Sequence, residues 1–279
     1  MEEESQKDKA GRPEQKGPGK KLAVVYIVLR LLVVAVMIAQ IFNGDYFNVF
    51  LCGLTLVLFM VPSFVEGRLH IDLPDTLEAL ILLFIFAAEI LGEIRAYYLQ
   101  FPYWDTMLHT VSGFLVAAIG ISLIDILNRS PRVALSLSPF FVGLFAFCFS
   151  MTVGVLWEFF EFGMDRYFGT DMQKDTVVSR VASVKLNPEG KNSPVAVEIE
   201  SLEVNGQDWD LGGYLDIGLI DTMKDLFVNF IGAAVFSVIG AFYIKNRGKG
   251  SFARRFIPRL KRPWPPRKNG GPPSQTWKK

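Results

Sequence analysis

The sequence predicts an all-α polytopic membrane protein, a six-transmembrane helix bundle with a small β-hairpin-like extracytoplasmic loop. The chain of 279 residues is 51% hydrophobic and contains 24 Phe, and its mean hydropathy of +0.30 is high for a soluble protein. Six apolar stretches each approach the roughly 20 residues that cross about 30 Å of hydrocarbon. A long polar segment before the last stretch alternates as strands do.

The apolar stretches define the predicted domain boundaries. Residues 1–21 lack an apolar pattern and are predicted to be a disordered cytoplasmic tail. Transmembrane helices 1–5 occupy residues 22–163, the extracytoplasmic loop 164–221, the sixth helix 222–244 and a basic cytoplasmic tail 245–279. The first span is too long for a removable signal peptide and is predicted to be retained. The six spans are 22–41, 47–64, 77–97, 106–127, 140–163 and 222–244.

Lys and Arg residues in the connections predict the orientation, because basic residues accumulate on the cytoplasmic side. The connections at 43–45 and 99–104 carry neither residue, so they are predicted to lie outside a bacterial plasma membrane, with both termini in the cytoplasm. The C-terminal tail contains no acid, which favours contact with anionic lipid over nucleic acid. The basic residues are Lys20, Lys21, Arg68, Arg129, Arg132, Arg254, Arg255, Arg259, Lys261, Arg262, Arg267 and Lys268.

The residue pattern of the predicted outer loop is typical of a small β-structure. Residues 177–184 alternate between apolar and polar, 187–190 carry a turn signal, and 195–204 are again strand-like before Asn205-Gly206. The pattern predicts a hairpin or a three-stranded meander outside the membrane.

Charged residues near the span ends form the second pattern. Spacings of three and four keep most members of each set on one helix face. With the predicted orientation they share the outer third of the membrane, where a charge must be paired, protonated or bound to metal. Arg30, in the middle of the first span, is predicted to pair with Glu89. The outer set comprises Glu89, Glu93, Arg95, Asp105, His109, Trp157, Glu158, Glu161, Asp165, Asp221, Asp225 and Asn229.

The carboxylates of this set outnumber Arg95, Lys224 and His109, so the sequence predicts that a divalent cation balances them. Oxygen ligands favour Mg²⁺, Ca²⁺ or Mn²⁺, and one imidazole leaves Zn²⁺ or iron open. An alternative for individual acids is structural, since Asp105 and Asp221 stand where helix N-caps are common. The predicted metal ligands are Asp105, His109, Glu158, Glu161 and Asp225.

Two further roles are assigned within the same set. His109, Glu158 and Asp225 are the predicted catalytic residues, with His109 as acid or base. Two tryptophans among the substrate-binding residues are expected at the level of the lipid headgroups. The predicted substrate-binding residues are Arg95, Trp104, Trp157 and Asn229.

Three segments resemble the YjdF-like family, bacterial multi-pass membrane proteins of unassigned function. They are 104–109 with Ser112-Gly113, 157–161, and 221–226 with Gly232-Ala233. A more distant similarity is to VanZ-like membrane proteins, which are linked to glycopeptide-antibiotic resistance in the cell envelope. That resemblance implies an envelope substrate and a site on His109, Glu158, Asp225, Asn229 and Gly232.

These observations favour an outward-facing acidic and histidine site for metal-assisted binding or turnover of an anionic lipid or a lipid-linked envelope intermediate. One alternative is a proton- or ion-coupled transporter, although the acids cluster at one face of the membrane instead of its midplane. Another is a non-enzymatic envelope protein whose outer loop recruits a protein partner. No nucleophile motif or nucleotide fingerprint appears, so the sequence leaves open whether the protein is an enzyme.

Overall fold

A computed structural model describes residues 19–69, 71–129, 137–246 and 250–260. Within these ranges it divides into two compact units, residues 19–100 with 251–260 and residues 101–250. The mainly helical, multi-pass architecture predicted from the sequence is confirmed, but within the described ranges five helices, not six, are long and apolar enough to cross a membrane. They are Lys20–Asn43, Tyr46–Arg68, Trp104–Leu127, Pro139–Phe168 and Leu219–Lys245.

The first unit begins with three helices separated by short turns. The first helix ends at Gly44, whose left-handed conformation (φ 73°) permits a tight reversal. Asp45 then accepts hydrogen bonds from the backbone and side-chain nitrogens of Asn48, at 3.0 and 2.7 Å, and caps the second helix. Lys20 and Lys21, which the sequence analysis assigned to the tail, already belong to the first helix. The helices are α1 (Lys20–Asn43), α2 (Tyr46–Leu58) and α3 (Val61–Leu69).

The third predicted span, 77–97, accounts for the difference in the span count. It is built from α4 (Asp75–Phe86), which has 12 residues, followed by a π-helix (Ala87–Ile94) of 8 residues. Arg95 ends the π-helix and Ala96, at φ 54°, turns the chain into α5 (Tyr97–Gln100). Neither helix alone reaches the roughly 20 residues of a span.

A buried hydrogen bond joins α1 to α4. The Tyr26 hydroxyl donates to Glu78 Oε1 at 2.5 Å, and the Arg30 guanidinium lies 5.0 Å from the centre of the Tyr26 ring. The predicted pair between Arg30 and Glu89 is wrong, since no such contact forms among the described residues. Tyr26 contacts Glu78, so Arg30, four residues after Tyr26, lies near the level of Leu82, four residues after Glu78. Glu89 is seven residues beyond Leu82, about 10 Å further along the helix.

Part of the C-terminal segment also belongs to the first unit. Strand β1 (Ile71–Asp72) pairs antiparallel with β8 (Arg259–Leu260), and a 3₁₀ helix (Ala253–Arg255) precedes β8. Ala253, Phe256 and Ile257 are buried, so residues 251–260 of the predicted basic tail are folded by their own apolar side chains. Residues 1–18, 247–249 and 261–279 of the two predicted tails lie outside the described residues.

Three long helices, α6 (Trp104–Arg129), α7 (Pro139–Phe168) and α8 (Leu219–Lys245), pack against one another in the second unit. Small residues allow close approach: a Cβ atom added to Gly232 would overlap the backbone oxygen of Thr110, and one added to Gly113 would overlap that of Asn229. The Ser150 hydroxyl donates to the Gly113 carbonyl at 2.8 Å.

The segment between α7 and α8 forms small antiparallel strand pairs, which confirms the predicted β-rich loop. Asn205 and Gly206 connect one pair with φ angles of 56° and 81°, as the type I′ turn of an Asn-Gly hairpin requires. The pairs are β2 (Val177–Val178) with β7 (Tyr214–Leu215), β3 (Arg180–Ser183) with β4 (Val195–Glu198), and β5 (Glu203–Val204) with β6 (Gln207–Asp208).

The contact of Gly232 with α6 predicts a large effect of a single methyl group. Gly232→Ala is expected to lower the free energy of unfolding by about 1–3 kcal/mol, because the methyl group must displace backbone atoms of Thr110. Gly163→Ala on α7 is the matched control, since nothing lies within 4 Å of its added Cβ. Thermal unfolding in detergent measures both, and equal melting temperatures for the two variants would contradict the packing.

Candidate functional site

The three helices of the second unit bring acids around one imidazole. Asp105 and His109 lie four residues apart on α6, Glu158 comes from α7, and Asp225 comes from α8. His109 Nε2 lies 3.5 Å from Asp105 Oδ1 and 3.8 Å from Asp225 Oδ2. His109 Nδ1 lies 3.7 Å from Glu158 Oε1. Both ring nitrogens therefore face carboxylates.

The cluster is mostly buried and is most exposed at Asp105. The side chain of Asp105 is 26% exposed and that of His109 12%, whereas Glu158 and Asp225 retain 5% and 3%. Glu158 Oε2 and Asp225 Oδ2 are fully buried atoms without a hydrogen bond in the described part of the chain. Unpaired buried oxygens are costly, so these two atoms are available to a ligand.

The ligand atoms form two overlapping sets that share His109. Asp105, His109 and Asp225 make one set, and His109, Glu158 and Glu161 make the other, with the atoms of each set within 4.8 Å of one another. The nitrogen–oxygen separations of 3.5–3.8 Å are too long for hydrogen bonds. Two ligands that each lie about 2.1 Å from a tetrahedral ion are about 3.4 Å apart, so this spacing suits ligands around one ion.

The second set has one oxygen already engaged. Glu161 Oε1 accepts a hydrogen bond of 2.7 Å from Trp157 Nε1, one turn earlier on α7. The Trp157 side chain is 47% exposed, and its ring centre lies 5.3 Å from that of Phe160. Trp157 therefore both touches the cluster and reaches the outer surface of the helix.

Asn229 lies in the centre of the bundle, one turn after Asp225. Its side chain is buried, and its Nδ2 lies 3.5 Å from Met151 Sδ. A Cβ atom on Gly154 would come within 2.5 Å of the same nitrogen. Asn229 is thus held where α6, α7 and α8 meet, beside the acids, and a role in binding substrate stays a prediction.

Two further predicted substrate-binding residues have different surroundings. Trp104 is the first residue of α6, is half-buried, and has its ring centre 6.3 Å from that of Phe101. Arg95 belongs to the first unit together with Glu89 and Glu93, and its carbonyl accepts a hydrogen bond from Gln100 at 2.8 Å. The contribution of these residues to the site stays a prediction.

Neither acid that was predicted as an N-cap occupies a cap position. Helix α6 begins at Trp104, which places Asp105 inside the first turn. Helix α8 begins at Leu219 with Gly218 as its N-cap, because the φ of 89° at Gly218 sets the bend. Asp221 lies inside the first turn and accepts a hydrogen bond of 2.8 Å from the backbone nitrogen of Lys174.

Several residues anchor the loop between α7 and α8 beside the cluster. The sequence pattern predicted no specific role for them. Gln173 is buried and donates to the Thr222 hydroxyl, which in turn lies beside Glu158. Asp165 accepts hydrogen bonds of 2.7 and 2.8 Å from the backbone nitrogens of Met172 and Gln173. The carboxylate at the end of α7 therefore fixes the loop and is not free to act as a ligand.

Asp216 anchors the opposite end of the loop. Its Oδ1 accepts from the backbone nitrogens of Thr176 and Gly218 at 2.8 and 3.3 Å, and its Oδ2 accepts from that of Ile220 at 2.8 Å. Partial burial alone would raise the pKa of Asp216, but these hydrogen bonds outweigh it and hold the pKa below its usual range. The sequence signal for this role was an Asp followed two residues later by a Gly, because Asp side chains accept hydrogen bonds from backbone N–H groups two residues on.

Asp216→Ala is expected to destabilise the protein by about 1–3 kcal/mol at pH 7, because it leaves backbone N–H groups unpaired. Since the folded pKa is lowered, the contribution of Asp216 is present above about pH 4, the ordinary range for Asp, and is lost as the pH falls through the lower folded value. Thermal unfolding of the variant and the wild type at pH 7 and pH 3 measures the difference.

The matched control is Asp171→Ala, whose side chain in the same loop is 65% exposed and which should differ little from the wild type at either pH. A destabilisation by Asp216→Ala that is the same at pH 7 and pH 3 would contradict the anchoring role of the carboxylate.

A family model described as "Predicted membrane protein (DUF2238)" matches residues 24–246, a range that includes all three site-bearing helices. This is the YjdF-like family that the three segments resemble, so that resemblance is confirmed. No curated protein and no solved structure matches the chain significantly.

Proposed function

Because the chain belongs to the DUF2238 family of predicted membrane proteins, a description that names no activity, we propose its function from the site itself. The acidic cluster binds a divalent cation and, through it, the phosphate of an anionic lipid or a lipid-linked envelope intermediate. The cation lies on the Nε2 side of His109, with Asp105 and Asp225 as its carboxylate ligands. Glu158 lies on the Nδ1 side, and Glu161 belongs to the same ligand set as Glu158.

The observation that carries this proposal is the spacing around Nε2. Asp105 Oδ1 and Asp225 Oδ2 stand 3.5 and 3.8 Å from it, close to the separation of two ligands on one tetrahedral ion, about 3.4 Å. Asp225 Oδ2 is also buried without a hydrogen bond. One imidazole with carboxylates suits Zn²⁺ or Mn²⁺ most directly, and Mg²⁺ or Ca²⁺ would rely on the oxygens alone.

Glu158 supports the ion from the other side of the ring. A histidine that binds metal through one nitrogen donates its other N–H to an acceptor, commonly a carboxylate. Glu158 Oε1, 3.7 Å from Nδ1, needs to approach by less than 1 Å to accept that proton at hydrogen-bond distance. This contact would fix both the tautomer and the ring orientation of His109.

The level of the cluster fits a lipid phosphate. Asp225 is six residues into α8 and His109 five residues into α6, which places both about 8–9 Å from the helix starts. Headgroups occupy roughly the outermost 5–8 Å on each side of a bilayer, so the cluster lies just beneath them and Trp104, the first residue of α6, lies at their level. The same level for Trp157, next to Glu158, stays a prediction. Turnover of the lipid would also need a proton donor at the leaving oxygen, and Glu158, which is not a ligand of the cation in this proposal, is the candidate among the described residues. The acid–base roles of His109 and Asp225 stay predictions.

A six-span topology with both termini in the cytoplasm belongs to the same proposal, and β1–β8 supports it. The two strands pair, so residues 72 and 259 must lie on the same side of the membrane. Helices α6, α7 and α8 contribute three crossings between them. An even number requires a fourth, for which α4 and the π-helix, residues 75–94 taken together, are the candidate.

The proposed orientation also assigns a membrane contact to the C-terminal segment. Arg254 and Arg255 are exposed on their 3₁₀ helix, and the Phe252 side chain beside them is 51% exposed. Basic residues next to an exposed aromatic ring are typical of contact with anionic lipid at the cytoplasmic surface. Similarity to VanZ-like proteins and recruitment of an envelope protein by the outer loop stay predictions.

Metal titration of the purified protein tests the cation site. In nanodiscs the wild type should bind one Mn²⁺ or Zn²⁺ per chain, and His109→Ala and Asp225→Asn should weaken binding by about 100-fold or more, since even an outer partner such as Glu158 contributes about 10–100-fold. Glu158→Gln should fall within that smaller range. Retention of phosphatidylglycerol over phosphatidylcholine should depend on the ion.

Asp171→Asn is the control for this titration, because its exposed carboxylate should add nothing to the affinity. Binding that is equally strong in Asp171→Asn, His109→Ala and Asp225→Asn, or no binding in any of them and the wild type, would overturn the proposal.

A further inference from the structure

An apolar groove runs between α7 and α8 on the outer face of the second unit. It has a volume of about 340 Å³, which is within the range of small-molecule sites. Small residues form most of its buried and half-buried lining, the Phe140 and Phe230 rings are exposed, and Ser237 is its polar member. The lining residues are Phe140, Gly143, Leu144, Phe147, Phe230, Ala234, Ser237, Val238 and Ala241.

We propose that this groove binds a hydrocarbon chain of the same membrane lipid whose phosphate is held at the acidic cluster. The headgroup part of this inference rests on the proposed function. The part that concerns the hydrocarbon chain of the lipid rests on the groove, its depth and its exposure to the bilayer.

Depth is the first support. The lining residues of α8 lie five to sixteen residues beyond Asp225, or about 8–24 Å along the helix. Those of α7 lie eleven to eighteen residues before Glu158, or about 16–27 Å. With a hydrocarbon core of about 30 Å in a bilayer of about 40–45 Å, the chains of one leaflet begin at most about 5–8 Å below the phosphate level and end at most about 20–23 Å below it. The groove overlaps that range on both helices.

The shape of the groove favours a slender occupant over another helix. Phe147 and Phe230 meet edge-to-face, with ring centres 5.1 Å apart, at the end nearer the acids. Phe140, 69% exposed, stands at the opposite end. Between the two ends, the small side chains of Ala234 and Ala241 leave the cleft open. A helix is about 10 Å across with its side chains, whereas a single acyl chain is slender enough to lie along a cleft that has aromatic rings beside its two ends.

The two parts are linked through the bundle. Asn229, which precedes Phe230, contacts Met151 on α7, and Met151 lies between Phe147 and Glu158 on that helix. A lipid that reaches from the cluster to the groove passes from charged to mainly apolar surroundings, in which Ser237 is the polar residue of the groove lining. An amphipathic lipid has the same sequence of polarity.

Photo-crosslinking tests the groove. Phosphatidylglycerol with a diazirine in its acyl chain is incorporated into nanodiscs with the full-length protein, and labelled peptides are mapped by mass spectrometry. The wild type should label residues 140–147 and 230–241 more strongly than the exposed apolar face of α1. Ala234→Phe, which fills the groove, should reduce this labelling about tenfold, which corresponds to about 1.4 kcal/mol, and Ala241→Phe should act likewise.

Val235→Phe is the control, because Val235 is 49% exposed and does not line the groove. Labelling that is no stronger than on α1, or that Ala234→Phe and Ala241→Phe leave unchanged, overturns the inference, as does a crosslink between two copies of the chain through these residues. Metal binding without groove labelling rejects the groove and leaves the proposed function standing. If the wild-type protein binds no metal but its groove is still labelled, the cation site is rejected and binding of the hydrocarbon chain in the groove stays supported.

Discussion

The site depends on how closely α6, α7 and α8 approach one another. Gly113 and Gly232 let α6 and α8 touch through backbone atoms, and Gly154 makes room on α7 for Asn229. Only at such separations can side chains from three helices converge on the two nitrogens of His109. The geometry of the acids therefore depends on the packing of the small residues, because a wider bundle would separate the carboxylates.

Packing of this kind explains why acids can be buried here at all. The hydrophobic effect does not hold helices together inside lipid, so contacts between small residues and buried polar groups must do so. A cluster of carboxylates works against that stability unless a cation or protons reduce its charge. The loop anchored by Asp165, Asp216 and Asp221 gives three other acids backbone partners, and so limits the number that a ligand must satisfy.

Sequence patterns predicted much of this arrangement. Spacing of four placed Asp105 and His109 on one face, and hydropathy located α1, α6, α7 and α8 to within a few residues of their observed ends. The Asn205-Gly206 turn was equally local, so it too could be read from the chain. Asp105, His109, Glu158, Glu161 and Asp225 were grouped from their common level in the membrane, although no distance among them could be known.

Other features required tertiary information. The π-helix that replaces the end of the third span depends on packing, since residues 87–94 are as apolar as an α-helical span. The pairing of Arg30 with Glu89 failed because the Tyr26–Glu78 contact sets the register of α1 against α4. Pairing of β1 with β8 joins residues far apart in sequence, and no local pattern could have shown that part of the basic tail is folded.

The central claim is that His109 binds a divalent cation through Nε2 while Nδ1 faces Glu158. The chain has two histidines, His70 and His109, so protein labelled with ¹⁵N-histidine and purified without a histidine tag gives few ring signals, which His109→Gln assigns. On addition of Zn²⁺, the account predicts a shift of His109 Nε2 alone, with Nδ1 protonated. An unchanged His109, or a metal shift at Nδ1, would contradict it.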